Sequence, residues 1–457
     1  FFSICFHAYK SECYTFCILS GLINISFRFR PKLFEHLPGY RRDDFLHDLS
    51  AGLTVGIVAL PLAMAFAIAS GLPPQSGIIT AIVGGFLISA LGGSSVQIGG
   101  PAGAFIVVVY GIVGRYGVAN LMIATICAGF LLIGLGLMRC GGWIRRLPES
   151  IVVGFTNGIA VIIGLSQIKD FFGLPIQSVP AEFFEKVQAI AQKLPEWNPA
   201  AFALSVSALC IVVLWPKSYA AQQGRWGRWL SRLPGTLAAL ILGTLAAMIF
   251  DLEVATIGSV FGGIPQGLPA LSIPEIDLEI VQYLLPAILT IAFLGAVESL
   301  LCARVADSMT QDRHDPNQEL MAQGLANVAS PLFGGFCATG TVARTVTNIR
   351  AGGRSPLAGM IHAAVLLAIL LGAAPLAADI PLATLAGILM FVAWNMGEWR
   401  SFLHLGRLSL QDRILLMLTF VLTVITDVTI AVSAAVALAL LFAASARVAK
   451  GRRNPVD

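Results

Sequence analysis

One guanidinium and one carboxylate stand isolated in apolar sequence, and both have obvious chemistry if that sequence is buried. Arg344 comes four residues after Gly340, and Glu298 is the only charged residue between Glu279 and Arg304. A guanidinium at membrane depth costs at least ~2.5 kcal/mol, so a partner is expected, and an anionic substrate fits. The other reading is an arginine whose head reaches the membrane surface beside Arg350 and Arg354. A carboxyl at Glu298 can bind a proton on one side of a membrane and release it on the other. Alternatively it is a structural hydrogen-bonding group on a buried helix face.

Each isolated charge belongs with a break in hydrophobicity. Residues 96–105 read VQIGGPAGAF and residues 334–344 read GGFCATGTVAR. Both predict a glycine-rich, non-helical lead and then a short helix, with Pro101 at the first helical position. A helix that starts inside a bilayer turns unpaired N–H groups and about half a positive charge toward the gap. Two such ends facing each other make an anion site from backbone alone. Small residues at Ala102, Gly103, Ala104, Gly340 and Ala343 let an anion approach those groups. Close helix packing, which also favours glycine, is the plainer reading. Leu62 and Phe66, one turn apart, offer an apolar wall or simple core packing.

The elements that must position these groups are membrane helices. Charged residues make up 12% of the 457, about half the ~25% of soluble domains. Apolar runs such as 241–249, 284–297, 360–376 and 428–446 lie in stretches close to the ~20 residues that cross a hydrocarbon core. The expected fold is an all-α polytopic membrane protein with about fourteen transmembrane segments. They fall near 50–69, 76–92, 101–113, 118–138, 148–167, 199–215, 234–250, 284–303, 319–333, 341–350, 356–376, 381–396, 411–426 and 428–446. Residues 1–44 read as an N-terminal cytoplasmic segment, of which 1–27 is an atypical extension. Residues 45–250 and 284–447 read as two seven-segment repeats, joined by an extracytoplasmic connection at 251–283, with a cytoplasmic tail at 448–457. An odd number of spans per half inverts one repeat relative to the other, and the short third and tenth segments occupy matching places.

Charge placement sets the orientation. Arg41, Arg42, Arg145, Arg146, Arg304, Arg313, Arg400 and Arg452 fall on one side, whereas 251–283 has five carboxylates and no lysine or arginine. Both termini are therefore expected in the cytoplasm, and the plasma membrane (the inner membrane of a two-membrane cell) as the location. Eight cysteines form no CxxC pair and six histidines form no ligand cluster, so neither metal nor cofactor is expected. The absence of a nucleophile-and-base constellation argues against an enzyme, and no nucleic-acid partner is expected.

The stretches AGLTVGIVALPLAMAFAIASGLPPQSGI (51–78), IGGPAGAF (98–105), GFTNGIAVIIGLSQIKDFFGL (154–174), LGAVESLLCARVAD (294–307) and ATGTVARTVTNIRAGGRSPLAG (338–359) resemble the SulP (sulfate permease) anion transporters. The resemblance spans about residues 45–447. It implies a seven-plus-seven inverted repeat with core and gate domains, elevator-type motion and a homodimer in the bilayer. The implied anion site holds Leu62, Phe66, Ala102, Gly103, Ala104, Glu298, Ala343 and Arg344. Sodium-coupled bicarbonate members carry Asp and Thr where this chain has Glu298 and Cys302, which disfavours a sodium site and leaves a proton as coupling ion. VESLLCARVAD (297–307) and VAWNMGE (392–398) look most like the bacterial four-carbon dicarboxylate carriers of the family. The resemblance also implies a following cytoplasmic STAS domain, which is expected to be absent from a chain with so short a tail. The expected function is proton-coupled dicarboxylate uptake. A sulfate or bicarbonate transporter or exchanger, or an uncoupled anion channel, is the alternative.

Overall fold

The computed structural model describes residues 14–15, 26–27, 29–144, 148–176, 179–180, 182–215, 234–267, 269–310, 312–426, 430–431, 433–439 and 441–442. Most of the expected 1–27 extension, much of the last segment and the whole tail lie outside them. Fourteen helices of nine or more residues lie among the described residues. They are α1 (Arg42–Ala69), α2 (Pro74–Leu91), α3 (Phe105–Tyr116), α4 (Val118–Leu137), α5 (Glu149–Phe172), α6 (Phe183–Lys193) and α7 (Pro199–Leu214). After them come α8 (Gly235–Ile249), α9 (Leu285–Thr310), α10 (Pro316–Leu332), α11 (Val342–Arg350), α12 (Pro356–Ala373), α13 (Leu382–Met396) and α14 (Leu410–Ile425).

Six helices among the described residues are long and apolar enough to cross a membrane: α1, α2, α4, α5, α9, and α12 with its extension to Ala377. Counting α6 and α7, bent by 113° at their junction, as one broken span makes seven. At 1.5 Å per residue, the 12 residues of α3 and the 9 of α11 reach only ~18 and ~14 Å, about half a hydrocarbon core.

The helices sort into two bundles. One contains α1–α4 and α9–α12, the other α5, α7, α8, α13 and α14. Within each, small residues bring backbones together. A Cβ on Gly129 of α4 would stand 2.7 Å from the Gly324 carbonyl of α10, and one on Gly324 would stand 2.5 Å from the Gly129 carbonyl. Gly52 and Gly56 seat α1 on α12 in the same way, and Gly154 and Gly158 seat α5 on α14.

Two local irregularities fall near the chain breaks. Pro61 inside α1 has no N–H to give, so one helical bond is lost a turn before Phe66. Residues Thr80–Gly84 of α2 form a π-turn, which widens the helix where Ala81 approaches Gly100. Asp48 ties α1 to the start of α12. Its Oδ1 accepts the N–H groups of Arg354 (2.7 Å) and Ser355 (3.2 Å), and its Oδ2 accepts the hydroxyls of Tyr40 (2.7 Å) and Ser355 (2.5 Å).

Candidate anion site

The two sequence breaks meet. Gly99–Gly100 (β1) and Thr339–Gly340 (β2) pair antiparallel, with Gly99 opposite Gly340 and Gly100 opposite Thr339. The pairing is extended by the Thr341 N–H, which donates to the Ile98 carbonyl at 2.9 Å. Glycine is required at two of these positions. Gly100 has φ +148°, and the Arg344 guanidinium lies where a side chain on Gly100 would go. Gln97 likewise fills the place of a Cβ on Gly340.

Polar side chains from three helices, with Thr339 of β2 itself, hold this short ladder. Thr345 Oγ1 accepts the Ile98 N–H (3.0 Å), and Asn348 donates to the Val96 carbonyl (2.8 Å). Asn327 of α10 both donates to and accepts from the Ala338 backbone. Thr80 of α2 accepts the Phe336 N–H, and Thr339 donates to the Gly295 carbonyl of α9. Apart from the bond to Gly295, which lies within α9, these bonds satisfy backbone groups that no helix serves.

The first half-helix starts later than the sequence suggests. The N–H groups of Phe105 and Ile106 donate to the Ala102 and Gly103 carbonyls, so Pro101–Ala104 is a tight turn and α3 begins at Phe105, not at Pro101. The chain is held extended through Gly100 by β2 and needs those residues to change direction. The N–H groups of Gly103 and Ala104, and of Ala343 and Arg344 at the start of α11, have no acceptor among the described residues. These are the orphan donors of two helix starts.

Ala102, Gly103, Ala104 and Gly340 are buried at the junction, and Leu62 and Phe66 are 7% and 6% exposed. Ala343 is exposed on the first turn of α11. A Cβ on Gly103 would lie 3.0 Å from Met396 Sδ, 3.8 Å from Phe66 Cζ and 3.9 Å from Ile163 Cδ1. Phe66 belongs to the first bundle, whereas Ile163 and Met396 belong to the second, so the start of α3 faces the seam between bundles.

Arg344 is 2% exposed, and neither Nη1 nor Nη2 has a hydrogen-bond partner among the described residues. It lies beside Gly100 and Ala81 Cα, inside the first bundle. A buried guanidinium without partners is costly, and an anion at the paired breaks would lower that cost.

Glu298 is half-buried, and its Oε2 has no partner among the described residues. It shares a face of α9 with Gly295 and Cys302, three residues before it and four after. Gly295 contacts Thr339, and the Cys302 thiol lies 3.2 Å from Thr345 Oγ1. Glu298 therefore stands on the side of α9 that faces β2 and α11.

A second carboxylate escaped the sequence reading. Glu319 is fully buried near the start of α10. Its Oε1 accepts Ser299 Oγ (3.2 Å) and Gln323 Nε2 (2.8 Å), and its Oε2 accepts the Gly93 N–H (2.9 Å). Ser299 in turn accepts from Gln97. Glu319 reads in sequence as a charge at a span end, and only the fold places Gly93 against it. The Met396 and Ile163 contacts left no signal, since both are apolar residues in apolar runs.

Residues 45–419 match the sequence pattern described as the sulfate permease family. This chain belongs to that family. The putative sulfate transporter YvdB of Bacillus subtilis (strain 168) is 44% identical over 88% of this chain and 74% of its own length. The bicarbonate transporter BicA of Picosynechococcus (strain PCC 7002) is 32% identical over 85% of this chain and 68% of its own. The solved transmembrane domain of a cyanobacterium bicarbonate transporter BicA superposes with a TM-score of 0.76 at 32% identity, covering 86% of this chain and 98% of that one. The chain is thus a helical membrane protein of an anion-transporter family, and the helix pairing described above is housed in that family's fold.

Proposed function

We propose that the chain is a secondary active transporter that binds one small anion where the starts of α3 and α11 meet. The observation that carries this is the buried Arg344 guanidinium, whose Nη1 and Nη2 have no partner among the described residues, beside two helix starts with orphan N–H groups. Gly103, Ala104, Gly340 and Ala343 give the anion access to backbone, and Ala102, Leu62 and Phe66 close the apolar side.

Glu298 is the proton-coupling group in this reading, and the cargo is a four-carbon dicarboxylate, as the 297–307 stretch suggests. The names of YvdB and BicA favour sulfate or bicarbonate as the second reading. The bundle of α1–α4 and α9–α12 moves past the other as an elevator. Fourteen spans in an inverted repeat, cytoplasmic termini and a homodimer in the plasma membrane complete the proposal.

Uptake into proteoliposomes tests it, with labelled succinate, sulfate and bicarbonate under an imposed pH gradient. Saturable uptake of one anion, lost in Arg344→Gln, supports the site. Non-saturating ohmic current refutes the carrier reading, and uptake indifferent to the pH gradient refutes the coupling.

A further inference from the structure

A cavity of about 1070 Å³ runs along α3 from Ile106 in its first turn to Tyr116 in its last. It opens at the face where α1, α3 and α5 end and α9 begins, opposite the arginine-rich face. Its inner end lies two residues beyond Ala104, one turn short of the candidate anion site. Ligand pockets usually hold ~300–1,000 Å³, so this one is roomy enough for an anion that keeps its water.

Five charged residues line it: Arg115, Lys169, Asp170, Glu182 and Lys186. Lys186 is the unusual member. It sits on α6, which crosses the mouth, and is only 3% exposed. No carboxylate lies within ion-pair distance of it among the described residues. Glu182, the N-cap residue one turn before it, is exposed and makes no ion pair among the described residues. The ammonium is held instead over the Tyr110 ring, 5.4 Å from its centroid, a cation–π contact. The ring is fixed in turn because its hydroxyl donates to the Val179 carbonyl.

A buried ammonium normally takes a carboxylate partner. Here an aromatic face holds the cation at the wall of the cavity, and no carboxylate among the described residues is paired with it. The geometry points to an outer loading site for small oxyanions, centred on Lys186, which concentrates the anion before it reaches Arg344. This rests on the transport reading above for its purpose, but not for its binding.

Initial uptake of sulfate and succinate from the Lys186 side decides the matter. Lys186→Gln raises KM about three- to tenfold at about 20 mM salt with kcat within about twofold, as loss of local steering predicts. The gap narrows at about 300 mM salt, where screening is short-ranged, and Lys186→Arg restores the wild-type KM. An unchanged KM in Lys186→Gln overturns the proposal. If wild-type vesicles take up none of the anions, the transport reading fails, and chloride NMR line broadening on the detergent-solubilised full chain still tests the site. Broadening that survives in Arg344→Gln and drops in Lys186→Gln supports it; broadening that Lys186→Gln leaves intact overturns it.

Discussion

Gly100→Ala is the sharpest test of how the site is built. At φ +148° the backbone lies where side-chain-bearing residues are strained, by about 1–3 kcal/mol. The new methyl also meets Arg344 Nη1, with Arg344 Cζ at 3.3 Å and Ala81 Cα at 3.5 Å. Ala81 is helix backbone and cannot yield, so Arg344 must move, and overpacking of this kind adds about 1–3 kcal/mol. The sum, ~2–6 kcal/mol, is large enough to lower the thermal unfolding midpoint followed by tryptophan fluorescence in detergent. Protein that still folds has a displaced guanidinium. A charge-assisted contact contributes ~1.5–3 kcal/mol, so the substrate KM should rise about ten- to a hundredfold. Gly111→Ala on α3 is the control, because no atom of the described residues lies within 4 Å of its added methyl. It should be neutral or stabilise the helix by ~0.5–1 kcal/mol. A Gly100→Ala protein with the wild-type midpoint and KM would refute the placement of Arg344 against β1.

Glu298→Gln should abolish uptake driven by a pH gradient while anion-for-anion exchange persists, measured by counterflow in the same vesicles. Asp48→Asn exchanges an acceptor of four hydrogen bonds for a side chain with two donors of its own, and should cost about 2–3 kcal/mol, read as a lower unfolding midpoint. Burial by itself raises the Asp312 pKa. The bonds from Ser95, the Arg313 N–H and Lys32, with the Lys32 charge, outweigh it and leave the carboxyl below its ordinary value. Its stabilisation is then fully present above the unfolded pKa of ~3.9 and is lost as pH falls through the lower folded value. The midpoint gap between wild type and Asp312→Asn should hold from about pH 7 to about pH 5 and close below about pH 4. Met396→Ala opens the start of α3 and should raise downhill anion leak relative to gradient-driven accumulation; an unchanged ratio of the two fluxes counts against a gating role.

Much of this was legible because hydrophobicity, glycine and charge are one-dimensional signals. The run from Val96 to Phe105 announces a chain break by its glycines, and Gly334–Arg344 announces another. That the two breaks pair, Gly99 on Gly340, required the fold, since strands of two residues carry no periodicity. Pro101 misled because a proline suits both the first turn of a helix and the tight turn before it. Glu319 was hidden by position: three residues into α10, it looks like a span-end charge, yet Gly93, Ser299 and Gln323 enclose it. Asn327, Thr345 and Asn348 carry most of the ladder's side-chain bonds, but isolated amides and hydroxyls in membrane helices serve many ends.

Packing is closer within each bundle than at the seam between them, and this bears on how such a site works. Inside each bundle, glycines set backbone against backbone: Gly129 on Gly324, Gly52 and Gly56 on α12, Gly154 and Gly158 on α14. Close-packed surfaces of this kind have few alternative registers, since a shift of a fraction of an ångström drives carbonyls into Cα atoms. Between the bundles, at the start of α3, the contacts are Phe66, Ile163 and Met396 around Gly103. These are long or flat apolar side chains, and methionine in particular re-packs at small cost. Slippage is therefore easiest at the seam and hardest within a bundle. The paired strands, Arg344 and Glu298 all sit on the first bundle. A displacement along the seam would carry the whole site as one rigid body and change only what covers it. Met396, 3.0 Å from where a side chain on Gly103 would begin, is the cover that such a displacement removes.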